Sequence, residues 1–289
     1  AIGAPGLSAI LPTLVPREDL QGAVALQSVQ MNLSRVIGPA IGGVLYAAFD
    51  AAPVFAFNAA TYGFAIVGLV WATYPRHANA VLEERGFRRL LSGARIVNRD
   101  PLLKHLLITL FTFSLFSLTF VGLFREIAAA NLDVELKSVE YGFLYACFGF
   151  GAALGAITVG TVFAKRSKAR LLRPGFIAFA VLLTAFALLR SVLPAYPVAA
   201  VLGYAYFIVI TSLSTVLQEH LEESQRGRVM ALWIMGFGGT VPLGVLLGGW
   251  LTEHFFSITA LVIGGAVWAL VLATWSNPEQ LVSKGAVDG

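Results

Sequence analysis

Residues 229–252 read VMALWIMGFGGTVPLGVLLGGWLT, a run with no charged side chain. An α-helix needs about 20 predominantly apolar residues to cross a bilayer, so this stretch is long enough to span one. Its apolar residues are continuous, without the alternation that a barrel strand requires, and that predicts a helix. Working outward, charge-free runs of similar length stand at 51–75, 106–124, 141–164, 191–218 and 255–278. A further run, 174–189, lies between Arg173 and Arg190, which can snorkel to the two interfaces, and one at 20–46 is broken by Arg35 alone. Residues 1–16 are apolar but short, and read as the last turns of another helix. The expectation is an all-α integral membrane protein with eight full spans and one partial span.

Composition agrees. Of 289 residues, 57% are apolar and 12% charged, against roughly 25% charged in a soluble domain. Mean hydropathy is +0.79. So few charges cannot coat a soluble enzyme of this size, and disorder needs the opposite balance. A pI near 9.3 would suit nucleic acid, but the basic residues sit between spans and read as topology signals. No nucleic-acid partner is expected. The one cysteine, Cys147, excludes a disulfide framework, and the four histidines are scattered without ligand spacing. No metal and no cofactor are expected.

The basic residues also set an orientation. Alternate loops hold Arg17, then Arg76, Arg85, Arg88, Arg89, Arg95, Arg99 and Lys104. They continue with Lys165, Arg166, Lys168, Arg170 and Arg173, then Arg226 and Arg228, then Lys284. The opposite loops hold only Arg125, Lys137 and Arg190. By the positive-inside rule the first set, and with it the C-terminus, is cytoplasmic.

The chain repeats itself at a separation of 206 residues. Ala25-Leu26 matches Ala231-Leu232, and Gly38, Gly42 and Gly43 match Gly244, Gly248 and Gly249 in the same register. With the second copy starting near residue 102, the first would start about 105 residues before Ala1. That arithmetic predicts twelve helices in a six-plus-six arrangement and makes this chain a fragment, in keeping with its opening on Ala1. The expected units are the remainder of the N-terminal half at 1–75 and a cytoplasmic linker at 76–101. The C-terminal six-helix half follows at 102–276, with a tail at 277–289.

Three stretches resemble the major facilitator superfamily, most closely the drug-efflux branch with enterobactin-exporter-like and macrolide-efflux-like proteins. Asn32-Leu33-Ser34-Arg35-Val36-Ile37-Gly38-Pro39-Ala40-Ile41-Gly42-Gly43 resembles the end of the superfamily's fifth-helix antiporter motif, with Ala25 and Ser34 in place of its upstream glycines. Residues 86–103 are similar to the linker into the seventh helix. Gly160 through Lys168 resembles a degenerate copy of the cytoplasmic loop motif, with Ala164 where an Asp is expected. The resemblance implies a major-facilitator-type bundle and a secondary transporter of the bacterial inner membrane. It would export a small amphipathic compound, drug or siderophore-like, by alternating access in exchange for protons, and act as a monomer when whole. The rival expectations are a metabolite importer or lipid flippase on the same fold, and a non-transporting receptor or scaffold. An enzyme is not expected, because no span holds a nucleophile constellation and no phosphate-cradling Gly-rich loop is present.

Candidate residues follow from the spans. Arg35 sits mid-span at a cost of at least ~2.5–3.5 kcal/mol, and Ser28, Asn32, Arg35, Pro39 and Gly42 share one helical face. This Arg either meets an anionic substrate group or a proton-carrying carboxylate, or is a structural ion-pair partner. Asn58 and Tyr62, the aromatic stripe Thr109, Thr112, Phe113, Phe116 and Phe120, and Thr211, Thr215 and Gln218 below Tyr204 and Tyr206 complete the expected pathway. Such stripes serve equally as packing surface. Gly38, Gly42, Gly43, Gly151, Gly155, Gly244, Gly248 and Gly249 read as close-packing positions, with Gly38-Pro39 and Pro242 as bending points. The charge of the 164–173 loop reads first as a topology signal, and its resemblance to the superfamily's loop motif implies a cytoplasmic gate at Gly160, Lys165 and Lys168, acting through charge pairs or a helix dipole. In the linker, Phe87, Leu90, Leu91, Ala94 and Val97 oppose Arg88, Arg89, Ser92, Arg95 and Arg99. This pattern predicts an amphipathic helix at the inner interface.

Overall fold

The computed structural model describes Asp19 and residues 51–71, 87–135 and 138–276, with the side chains of 51–54, 69, 87–90, 223 and 224 outside that description. Ser28, Asn32, Arg35, Gly38, Pro39, Gly42 and Gly43 lie outside the described residues. The described residues form helices and no strands: α1 (Ala51–Trp71), α2 (Phe87–Arg99), α3 (Pro101–Thr112), α4 (Thr119–Gly122) and α5 (Phe124–Leu132). After these come α6 (Val139–Gly160), α7 (Ala169–Leu188), α8 (Val192–His220), α9 (Glu223–His254) and α10 (Ile258–Trp275). The last five are long and apolar enough to cross a membrane, and their bounds follow the charge-free runs within a few residues. Helix α9 differs most, because its charged first turns, including Arg226 and Arg228, are helical rather than loop.

Local chemistry starts and stops these helices. The Asp100 carboxylate accepts from the amides of Leu102 and Leu103 at 2.8 and 3.0 Å, and Pro101 occupies the first turn of α3, where its missing N–H costs nothing. Ser138 and Ser257 cap α6 and α10 in the same way. Asp133 ends α5 at φ 54° in the left-handed region, and the Val134 amide reaches back to the Ala128 carbonyl at 3.1 Å. Arg190 donates to the carbonyls of Ala187 and Leu189, which satisfies the last turn of α7.

The span expected at 106–124 is not one continuous helix. It runs from Pro101 to Leu132 through a π-helical turn at Phe113–Ser117, where the Leu118 amide bonds the Phe113 carbonyl five residues back. A π turn pushes carbonyls outward, and here two glycines of other helices leave room for them. A Cβ on Gly244 would overlap the Leu115 carbonyl, and one on Gly265 would come within 2.7 Å of the Phe116 carbonyl. Thr119 and Ser117 hydroxyls donate to the carbonyls of Leu115 (2.7 Å) and Gly265 (2.8 Å), while the Ser114 hydroxyl within the turn is buried without a partner among the described residues.

Helix α8 is central, packed along α6 on one side and α7 on the other, with α10 against α7 and α9 against α2 and the α3 break. Between them lies an aromatic core. Phe113 meets Phe176 and Phe179 edge-on at 5.1 Å, Phe124 stacks on Phe186, and Phe148 stacks on Tyr206. The α6–α8 seam is closed by glycines. A Cβ on Gly151, Gly155 or Gly203 would overlap the carbonyl of Ala200, Tyr204 or Phe148 respectively. Gly248 abuts Thr119, whereas Gly249 has nothing within 4 Å.

One buried amide bridges three helices at the end of the bundle away from the 161–168 turn. Asn131 of α5 donates to the Ala187 carbonyl of α7 at 2.9 Å and accepts from the Thr259 hydroxyl of α10 at 3.0 Å. Asn131→Ala is expected to lower unfolding stability by about 1–3 kcal/mol, because it removes one of the two donors to the Ala187 carbonyl and the acceptor of the Thr259 hydroxyl. A double-mutant cycle with Thr259→Val, read by unfolding in detergent, should return a non-zero coupling; strict additivity would refute the bridge.

Candidate functional site

The candidate site grows from one face of α8. Tyr204, Thr211, Ser214 and Thr215 are half-buried there and Gln218 is exposed. Tyr204 reaches α6, its hydroxyl 3.2 Å from that of Thr158, and Gln218 donates to the Ser214 hydroxyl at 2.9 Å. The Thr215 hydroxyl donates to the Thr211 carbonyl at 2.8 Å, which leaves its oxygen lone pairs free to accept.

Below this stripe opens a cavity of about 380 Å³ lined by Ala156, Val159, Gly160, Ala164, Lys168, Thr211 and Thr215. Three elements build it: the end of α6, the turn into α7, and the middle of α8. The residues expected separately as pathway (Thr211, Thr215) and as gate (Gly160, Lys168) therefore share one cavity. It is an open cleft whose volume lies at the low end of the range for small-molecule sites. Gly160 stands at the rim with nothing within 4 Å of a Cβ position, so another helix can approach here.

Lys168 is buried, and all three of its donors are used. The ammonium bonds the carbonyls of Phe163 and Ala164 at 2.8 Å and of Arg166 at 3.0 Å. These carbonyls follow the C-terminus of α6, where the helix dipole is negative. No carboxylate pairs with Lys168 among the described residues. It places a positive charge in the cavity wall and closes the turn around it. Lys165 is exposed and takes no part in that closure.

Other expected pathway residues are dispersed. Phe113 and Phe120 are interior, and Thr109 is fully buried, while Phe116 is 50% exposed beside Trp268 on a different side. The π turn resets the helical phase, so a stripe counted at helical spacing across 109–120 does not share a face. Tyr206 lies in the aromatic core, away from Tyr204. Asn58 and Tyr62 lie on α1, where every described side chain is exposed. Pro242 is exposed within α9, four residues after Gly238, whose carbonyl it cannot serve.

Two partners had no sequence signal. Thr158 meets Tyr204 only because glycines bring α6 and α8 close. His220, the last residue of α8, has its Nε2 2.7 Å from the Asp100 carboxylate, tying that helix to the cap of α3. Nothing in the spacing of Asp100 and His220, 120 residues apart, marks them as partners. Among the described residues, no group of three or more His, Cys, Asp or Glu could hold a metal.

A family model described as "transmembrane secretion effector" matches residues 1–284. Among curated relatives, the enterobactin exporter EntS of Escherichia coli O6:K15:H31 is 29% identical over 311 residues, covering 99% of this chain and 70% of the relative. The enterobactin exporter EntS of Shigella boydii serotype 18 is 30% identical over 264 residues, covering 86% and 59%. That of Salmonella typhimurium is 29% identical over 258 residues, again covering 86% and 59%. The chain thus spans between 59% and 70% of the length of these relatives.

Proposed function

Because this chain belongs to the transmembrane secretion effector family of the major facilitator superfamily, we propose that it forms much of a secondary transporter of a bacterial inner membrane. The transporter exports a small amphipathic compound, drug or siderophore-like, by alternating access, and is driven by proton antiport. The cavity at Thr211, Thr215, Gly160 and Lys168 is the observation that carries this reading. It offers apolar walls, two hydroxyls and one positive charge at the end of the bundle that the positive-inside rule assigns to the cytoplasm. An anionic or hydroxyl-rich amphiphile, such as a catecholate, suits that chemistry. The carboxylates Glu126, Glu140, Glu219 and Glu253 sit at helix ends, so the reading places the proton-carrying group outside the described spans, with Arg35 as its natural partner.

Thr211→Phe places an aromatic ring where a hydroxyl lines the cavity and is the direct test. Vesicles containing the whole transporter would be loaded with a labelled catecholate and energised with a pH gradient. Efflux is expected to fall at least tenfold with Thr211→Phe and less with Thr211→Val, and to collapse with a protonophore in the unmodified protein. Undiminished efflux by Thr211→Phe would remove the cavity from the pathway. Accumulation rather than efflux would favour import.

A further inference from the structure

Helix α2 has a docked face and a free face, and they differ from the simple amphipathic split of its sequence. Gly93 is seated on α9, where a Cβ would come within 2.7 Å of the Arg228 carbonyl and 3.4 Å of the Leu232 side chain. Val97 is buried beside it and Ile96 packs on the core. The opposite side presents Leu91, 44% exposed, with Ala94, Arg95, Asn98 and Arg99 also exposed. Neither Arg95 nor Arg99 has an ion-pair partner among the described residues.

The position of this free face identifies what covers it. Asp100 follows the helix directly and caps α3, whose first turn still carries the exposed Lys104, and the charge-free run begins at residue 106, so α2 lies just outside the level where the hydrocarbon begins. A face with apolar side chains beside guanidinium groups that have no ion-pair partner among the described residues, at that depth, fits the boundary between acyl chains and anionic headgroups. The docked face cannot turn outward, because the close approach of Gly93 to α9 fixes the rotation of the helix.

We propose that α2 is a binding site for anionic phospholipid, with Arg95 and Arg99 holding the phosphate and Leu91 and Ala94 resting on the upper acyl chain. Guanidinium groups offer forked donors to phosphate oxygens. This inference rests on the membrane reading but not on transport.

The test uses the purified chain in non-ionic detergent, titrated separately with phosphatidylglycerol and phosphatidylcholine, with bound lipid read by native mass spectrometry. Phosphatidylglycerol is expected to be retained in preference, and the preference to weaken with salt. Arg95→Gln with Arg99→Gln is expected to weaken phosphatidylglycerol binding by roughly fivefold per arginine, about 30-fold together. Both side chains are exposed, so the unfolding temperature should not move, and recording it separates lost binding from lost folding. Equal retention of the two lipids, or a double variant that holds phosphatidylglycerol as tightly as the unmodified chain, would overturn the proposal. Because no transport is measured, failure of the export reading leaves this result intact, and the reverse also holds.

Discussion

Gly151→Leu is expected to prevent the α6–α8 pair from forming. The first added carbon already overlaps the Ala200 carbonyl, which is backbone and cannot rotate aside. Gly155 and Gly203 make the same demand along the same seam, from opposite helices. In lipid, apolar side chains gain nothing by leaving solvent, so association depends on close approach and packing. Forcing the axes apart also unseats Phe148 from Tyr206 and Phe120 in the aromatic core. Overpacking of a filled core costs typically ~1–3 kcal/mol for extra methylenes. Gly151→Ala should fall in that range, and leucine beyond it. Gly249→Leu is the matched control, since nothing lies within 4 Å of its Cβ position. Unfolding followed by far-UV circular dichroism on titration with a denaturing detergent would show the difference. An unchanged midpoint for Gly151→Leu would mean that the seam is not close-packed.

Lys168→Met is expected to open the turn between α6 and α7. The substitution keeps the length of the side chain but removes the ammonium from three carbonyls, of which that of Phe163 keeps the Arg166 amide at 3.0 Å. Bonds to charged groups contribute about 1.5–3 kcal/mol each, but the turn is accessible to water, so about 2–4 kcal/mol in total is the reasonable expectation. Lys168→Arg should recover only part of this, because a planar fork cannot meet three converging carbonyls as an ammonium does. Lys165→Met, on an exposed side chain, should stay within about 0.5 kcal/mol. Amide hydrogen exchange over 161–168 is the sensitive measurement, with faster exchange in Lys168→Met and none of it in Lys165→Met. Equal protection in the two variants would show that the ammonium does not hold the turn. On the proposed transport reading, the same opening should also loosen the cavity that Lys168 lines.

The two lysines show what residue type and spacing do and do not convey. Both were expected in the gate, because both lie in the loop that resembles the superfamily's cytoplasmic motif. Their difference comes from burial: one points at the end of α6 and the other at solvent. The linker helix makes the same point. Its existence and its arginine flank were plain from periodicity, but Leu91 and Ala94 were grouped with Val97 on one apolar face. The structure divides them, because Gly93, silent in a hydropathy pattern, is the residue that docks.

Whether a segment spans lipid depends on its own apolar length and its own charges, because a helix satisfies its backbone internally. For that reason α6, α7, α8, α9 and α10 were legible from the amino-acid sequence alone, together with the charge asymmetry of the loops and the family resemblance. The π turn in the α3 span was not. Its carbonyls are accommodated by Gly244 and Gly265, more than a hundred residues away along the chain, and its consequence is that Phe113 and Phe116 face different surroundings. Nor could spacing show that Thr211, Thr215, Gly160 and Lys168 share a cavity, or that Thr158 meets Tyr204. Those relations exist only where separate helices meet, and the closeness of their meeting is set by glycines that pair in space rather than in sequence.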